Sequence, residues 1–235
     1  MKRSGTGPTR NGPSVSGNPE KVPSSAFDVL RNYLGARATF ADEDFTRVQS
    51  MLLFKRLHAG EFLQRAGDVT RYAAFVASGC LRNYIIDPKG REHIIQFAPE
   101  TWWLADSTSL NGGTPSTFFI DAIEDSDLLL IDAPSHQTLV DGVSPYAAAF
   151  RTGLQRHAAA KDQRIASSLS ASAQERYLEF LRVYPSIVTR VPQAMLASYL
   201  GMTPETLSRI RKNLSRRKPS VRSLGTPRSD KNQPR

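Results

Sequence analysis

Residues 191–214 read Val-Pro-Gln-Ala-Met-Leu-Ala-Ser-Tyr-Leu-Gly-Met-Thr-Pro-Glu-Thr-Leu-Ser-Arg-Ile-Arg-Lys-Asn-Leu, and this order predicts two short helices around a glycine turn. In the first helix Leu196 and Leu200 lie one turn apart and face inward, while Ala197 leaves room for a second helix to approach. Gly201 suits the left-handed conformation of the turn. Thr203 can cap the next helix with its hydroxyl, and Pro204 stands at the first helical position, where its missing N–H is no loss. Leu207, Ile210 and Leu214 then recur at three- and four-residue spacing as a buried stripe, which turns Glu205, Ser208, Arg209 and Lys212 outward. A helix-turn-helix of this kind presents the outward residues of its second helix to the major groove, where Arg forks onto guanine and Glu accepts from the cytosine amino group. Thr206 and Lys212 suit phosphates, which orient a protein without reading sequence. A solvated helical hairpin is the plainer alternative, but the cap, the proline and the glycine all fall where the motif needs them.

Charge points the same way. The chain has 31 Lys and Arg against 22 Asp and Glu, a formal +9, and the segment from Arg190 onward carries this whole excess. A localised basic end is the footprint of a polyanion binder whose affinity falls steeply with salt. A solubilising or membrane-surface tail would look similar, but its place directly after the helix-turn-helix favours DNA.

With 235 residues and 40% hydrophobic content the chain can bury a real core as one large or two moderate domains. No apolar run approaches the roughly 20 residues of a membrane helix, and Lys2 and Arg3 are not followed by an apolar signal segment, so a cytoplasmic location is expected. Cys80 is the only cysteine, which excludes an internal disulfide and a cysteine-ligated zinc or iron–sulfur centre. His58, His93, His136 and His157 show no recurring ligand spacing. No cofactor is expected.

The pattern along the chain predicts an α+β architecture. Residues 1–25 and 219–235, poor in large apolar side chains, read as disordered tails. Phe27–Leu34 and Ala41–Leu53 have helical spacing. Seven short β-type runs follow: Phe54–His58, Glu61–Gln64, Tyr72–Ser78, Leu81–Ile86, Glu92–Phe97, Phe118–Ile123 and Leu128–Ile131. Their close spacing and the turn residues between them predict an antiparallel β-roll or jelly roll. After Pro145 a long helix carries Tyr146, Phe150, Leu154, His157, Ile165 and Leu169 with interleaved alanines, a stripe suited to a dimer seam or to packing on its own barrel. A further helix over Ser172–Tyr184, with Tyr177, Phe180 and Leu181 inward, leads to the DNA reader. The expected division is a sensor roll at 26–142, a dimerisation helix at 143–170 and a helix-turn-helix domain, winged-helix-like, at 171–218.

This order resembles the Crp/Fnr family of bacterial transcription regulators over about residues 40–215. The resemblance is carried by Leu57-His-Ala-Gly-Glu-Phe-Leu63, the Gly67-Asp68 turn, Phe75-Val-Ala-Ser-Gly-Cys-Leu-Arg-Asn-Tyr84, Trp103-Leu-Ala-Asp106 and, most specifically, Leu200–Leu214. It implies a homodimer on a two-fold-symmetric double-stranded DNA site, a cyclic-nucleotide-binding-like roll as sensor, and RNA polymerase as a further partner. It also implies Glu205 and Arg209 as base readers, with Thr203 and Thr206 near the DNA backbone.

The sensor departs from the family pattern. Where a cyclic-nucleotide pocket has a Gly-Glu pair for the ribose and an Arg-Ser/Thr-Ala run for the phosphate, this chain has Ala105-Asp106 and Ser116-Thr117-Phe118. Asp106 can still meet a ribose hydroxyl, but no guanidinium stands at Ser116, and neutral donors hold a phosphodiester poorly. The effector is therefore expected to be something other than cAMP, or absent. A non-standard nucleotide pocket that borrows Arg82 or Arg91 from another strand stays open, and Trp103 either fills the place of the purine or is plain core. A cupin-like metalloenzyme is the remaining alternative, although it lacks the His-x-His spacing such sites use.

Overall fold

The computed structural model describes residues 23–217. Two helices come first, α1 (Ser24–Gly35) and α2 (Asp42–Ser50), the latter with Asp42, Glu43 and Asp44 at its positive end. The expected helix to Leu53 stops at Ser50 because Leu53 pairs with Leu130 and opens the first strand. α1 starts two residues inside the segment expected as a tail, and the rest of both tails lies outside the described residues.

The roll is built from β1 (Leu53–Leu57), β2 (Phe62–Gln64), β3 (Ala73–Ser78), β4 (Leu81–Ile86), β5 (Glu92–Ala98), β6 (Trp103–Leu104), β7 (Phe119–Ala122) and β8 (Ser126–Ile131). They form two antiparallel four-stranded sheets in the orders β1-β8-β3-β6 and β2-β7-β4-β5. Leu57, Ala74, Val76, Leu81, Leu104, Ile120, Leu128 and Leu130 fill the space between the sheets. Gly79 turns β3 into β4 at φ +90°, where a Cβ would stand 2.2 Å from Ser126 Oγ, so glycine alone fits.

Each sheet also has an apolar outer face, because strand residues alternate sides. Phe75, Ala77, Leu129 and Ile131 on the first sheet pack against Leu30, Tyr33, Leu139, Tyr146 and Ala149. These helical residues come from α1, from α4 (Ala133–Gly142) and from the start of α5 (Ser144–Ser170). Tyr84, Ile94 and Phe97 on the second sheet join a core shared with α6 (Ala173–Val183), α7 (Gln193–Leu200) and α8 (Pro204–Arg217). Burying each such side chain is worth about 1.5–3 kcal/mol, so the three C-terminal helices are docked on the roll rather than tethered to it.

Three elements go beyond the sequence expectation: β6, α4 and the six-residue α3 (Ser107–Gly112). α4 buries only Leu139, so it has no apolar stripe to be read, and Asp132 caps it by accepting from Ser135 N–H. The expected seam on α5 splits in two. Tyr146 is buried on the first sheet and His157 stacks on Trp102, whereas Phe150, Leu154, Ile165 and Leu169 are exposed.

Candidate nucleic-acid interface

In the reader, Leu196, Ala197 and Leu200 of α7 are buried, and Gly201 takes φ +63° at the turn. Thr203 Oγ1 accepts from Thr206 N–H at 3.2 Å and so caps α8, while Gln193 Nε2 donates across the motif to Pro204 O at 3.1 Å. Leu207 and Ile210 are buried and Leu214 is half-buried, whereas Thr203, Glu205, Ser208, Arg209 and Lys212 are exposed and Thr206 is half-buried. Glu205 and Arg209 stand one turn apart on the outward face. Its own helix-start N–H, the Thr203 hydroxyl and Arg209 hold the Glu205 carboxyl below the usual range, so it is an ionised acceptor near neutral pH. Arg211 and Arg216 add exposed positive charge to the same helix, and the basic residues from Lys218 on lie outside the described residues.

The two-helix motif is anchored by groups that sequence reasoning missed. Arg190, in the segment before α7, donates to Glu100 at 2.7 and 3.1 Å and also to Glu124. Burial raises the Glu100 carboxyl, but Arg190 outweighs it and the net shift is downward. Ser198 Oγ donates to Glu92 O and accepts from Ile94 N–H, tying α7 to β5. Trp102 is stacked between His157 of α5 and Tyr184, at ring distances of 5.3 and 5.2 Å. These pairs join residues far apart in sequence, and a single chain holds no local signal for them.

The residues expected around an effector do not converge. Asp106 Oδ1 accepts from Thr108 and Ser109 N–H and caps α3. Ser116 is buried with its Oγ bonded to Phe118 N–H, while Thr117 is exposed. Beside them Thr70 Oγ1 donates to Gln64 Oε1 at 2.6 Å, and Ser109 Oγ accepts from Thr70 N–H and donates to Thr114 O. The polar groups at this end of the roll thus bond mainly to one another.

Arg82 and Trp103, whose places the sequence left open, both face out of the roll. Arg82 stands opposite Asp121 in the register, on the outer face of the second sheet, because its neighbours Leu81 and Asn83 take the inward positions opposite Ala122 and Ile120. Its guanidinium forks onto Asp121 at 2.7 and 2.9 Å, meets Glu92 at 2.5 Å and lies 4.2 Å from the centre of the Tyr84 ring. Burial pulls its pKa down, but the two carboxylates outweigh this and raise it, so the cation is already neutralised on the wrong side of the sheet. Arg91 is held by Asp87 in the β4–β5 turn. Trp103 pairs with Phe75 and therefore faces the helices outside the roll, where the two rings are 5.3 Å apart. Asn83 was not anticipated; its Oδ1 is buried without a hydrogen-bond partner.

The histidines stand apart, each beside a different partner: His58 beside Asp125, His93 with Asp87, His136 with Tyr146 and His157 on Trp102. Burial pushes the Cys80 thiol up to about 12, which leaves it protonated and unreactive near neutral pH.

Residues 54–142 match the cyclic nucleotide-binding domain family. No curated protein matches the chain in sequence. Among solved structures, the c-di-GMP responsive global regulator CLP of Xanthomonas campestris is 16% identical and aligns over 75% of this chain and 92% of its own, with a TM-score of 0.60. FixK2 of Bradyrhizobium japonicum is 20% identical over 70% of this chain and 85% of its own, with a TM-score of 0.58. A regulator of the Crp/Fnr family from Eubacterium rectale is 21% identical over 78% and 88%, with a TM-score of 0.56. Residues 54–142 are thus similar to cyclic nucleotide-binding domains, and the chain has the fold of the Crp/Fnr regulators it is similar to.

Proposed function

We propose that this chain is a sequence-specific DNA-binding transcription regulator that works as a homodimer and reads a two-fold-symmetric site with α8. The observation that carries the reading is the division of α8: Leu207 and Ile210 face the core while Glu205 and Arg209 stand together in solvent on the other side. Glu205 and Arg209 are assigned to base edges, and Thr203, Thr206, Ser208 and Lys212 to the rim and phosphates. Phe150, Leu154, Ile165 and Leu169 support pairing through α5, since they are 41%, 58%, 60% and 84% exposed along one helix. A DNA target places the protein in the cytoplasm with the chromosome, where RNA polymerase is its expected partner.

The roll is assigned as a sensor that does not respond to cAMP. Ser116 replaces the phosphate-gripping arginine and is already bonded, and Arg82 is spent on Asp121 and Glu92. Among the pocket candidates only Asp106, Ser116 and Thr117 keep places near α3, and an effector of different chemistry would have to open the Gln64–Thr70–Ser109 network. The proposed units are the roll at 26–142, the dimer helix at 143–170 and the reader at 171–218.

A binding selection from random duplex DNA tests the central reading. Two enriched half-sites about one helical turn, roughly 10 base pairs, apart are expected. No enriched motif at low salt would defeat it. Calorimetric titration with cAMP tests the sensor assignment, and saturable binding in the micromolar range would overturn that part alone.

A further inference from the structure

We propose that Arg164 is a positioning residue that sets the spacing at which the two DNA half-sites are read. The proposal rests on the reading of the chain as a homodimer paired through α5 and docked on DNA through α8. In such a dimer the seam fixes the two α5 helices, so the separation of the recognition helices depends on how rigidly each reader is held to its own α5. The chain link does not supply that rigidity. α5 ends at Ser170, and Ala171 is extended at φ −90°, ψ 145°, which makes a joint rather than a continuous helix.

Arg164 closes this joint. Its Nη2 donates to Tyr199 O at the end of α7 at 3.0 Å and to Ile94 O of β5 at 3.1 Å, its Nη1 donates to Ile95 O, and its guanidinium lies 3.9 Å from the centre of the Tyr199 ring. One planar group thus joins dimer helix, sensor strand and reader. The other ties of the reader run elsewhere: Arg190 and Ser198 bind it to the roll, and Arg176 bonds Leu200 O and Ala171 O from α6. Among the described residues Arg164 is the only α5 side chain seen hydrogen-bonded to α7 or α8. The acceptor at Tyr199 O sits two residues before Gly201, so the bond grips the reader at the turn that leads into α8. The rigid fork matters, because a lysine has a single nitrogen and cannot stand at both guanidinium positions.

Spacing is a sensitive readout of this grip. One added base pair moves a half-site by about 3.4 Å and turns it by about 34°, which a rigidly held reader cannot follow and a loosened one can. The experiment is the random-DNA selection followed by binding titrations on sites with the spacer lengthened or shortened by one base pair. It uses the full chain, Arg164→Ala and Arg164→Lys, with thermal unfolding of each protein recorded in parallel. Arg164→Ala is expected to enrich the same half-site sequence as the unaltered protein while its preference for the best spacer falls at least about fivefold, as loss of charge-assisted bonds predicts. Arg164→Lys should also lose spacer preference, although it keeps the charge, and it decides the matter should the alanine variant fail to fold. An unchanged spacer preference in both variants, or in the lysine variant alone when the alanine variant is unfolded, overturns the assignment and leaves the DNA reading standing. Failure of the unaltered protein to enrich any half-site overturns the DNA reading and this proposal with it.

Discussion

The outward face of α8 and the α3 end of the roll are both polar, yet they are built in opposite ways. On α8 the polar groups Glu205, Ser208, Arg209 and Lys212 stand in solvent over a dry stripe of Leu207 and Ile210. At α3 the polar groups face inward and bond to one another: Asp106 to the helix start, Thr70 to Gln64, and Ser109 to Thr114. A buried polar network is worth having only when it is complete, so this end of the roll resists a new ligand that does not replace those bonds. Among the described residues the outward face of α8 carries no such closed network, which leaves its charges free for the proposed duplex. The difference is the reason the proposed function gives α8 a polyanionic partner and leaves the roll without a named effector.

The comparison breaks most readily at Arg82. Replacing it with Met leaves Asp121 buried without its counter-charge, and about 3–5 kcal/mol of stability should be lost, measured by urea denaturation. Response to cAMP should be the same before and after. A change in cAMP binding without loss of stability would return Arg82 to the pocket. Next in size is Leu207→Ala, which empties a fully buried site in the reader and should cost about 2–5 kcal/mol. A near-neutral result would mean that the α8 stripe is not the core of the motif.

Smaller effects separate presentation from packing. Arg209→Ala should leave the unfolding midpoint unchanged and weaken binding to the selected site by about 1–3 kcal/mol, with relaxed preference at one base pair. Equal loss on selected and random DNA would reassign Arg209 to phosphates. The smallest effect concerns pH. Burial first, then Lys161 and Arg37, lower the pKa of His157, and burial alone lowers that of His136. Both take up a proton less readily in the folded protein than in the unfolded chain, so the unfolded chain binds more protons below the ordinary value of 6.5. Stability should therefore be full above that pH and decline as pH falls below it, before carboxylates such as Glu100 begin to titrate below their ordinary 4.5. Urea midpoints that stay flat between about pH 7 and 5 would contradict the lowered pKa values of these half-buried histidines.

Much of the fold was legible in the chain because its signals are short-range. The glycine turn at Gly201, the Thr203 cap, Pro204 and the Leu207–Ile210 spacing each act within one or two turns, and they define the two-helix motif without reference to the rest. The short strand runs of the roll and the turn residues between them are equally local. Trp103 shows where such reading stops. A two-residue strand has no alternation to phase it, and only its pairing with Phe75 shows that it faces the helices.

Arg82 and Arg164 mark the same boundary for charge. Composition reveals that the basic excess lies at the C-terminal end, and helical periodicity reveals which α8 residues face out. Neither says that Arg82 meets a carboxylate 39 residues away, or that Arg164 meets carbonyls 70 and 35 residues away. Periodicity and capping follow from forces that act between near neighbours along the backbone, so a sequence displays them directly. Which face of a sheet carries a charge, and which partner neutralises it, depends on strand register and docking, and those are chosen by burial summed over the whole molecule.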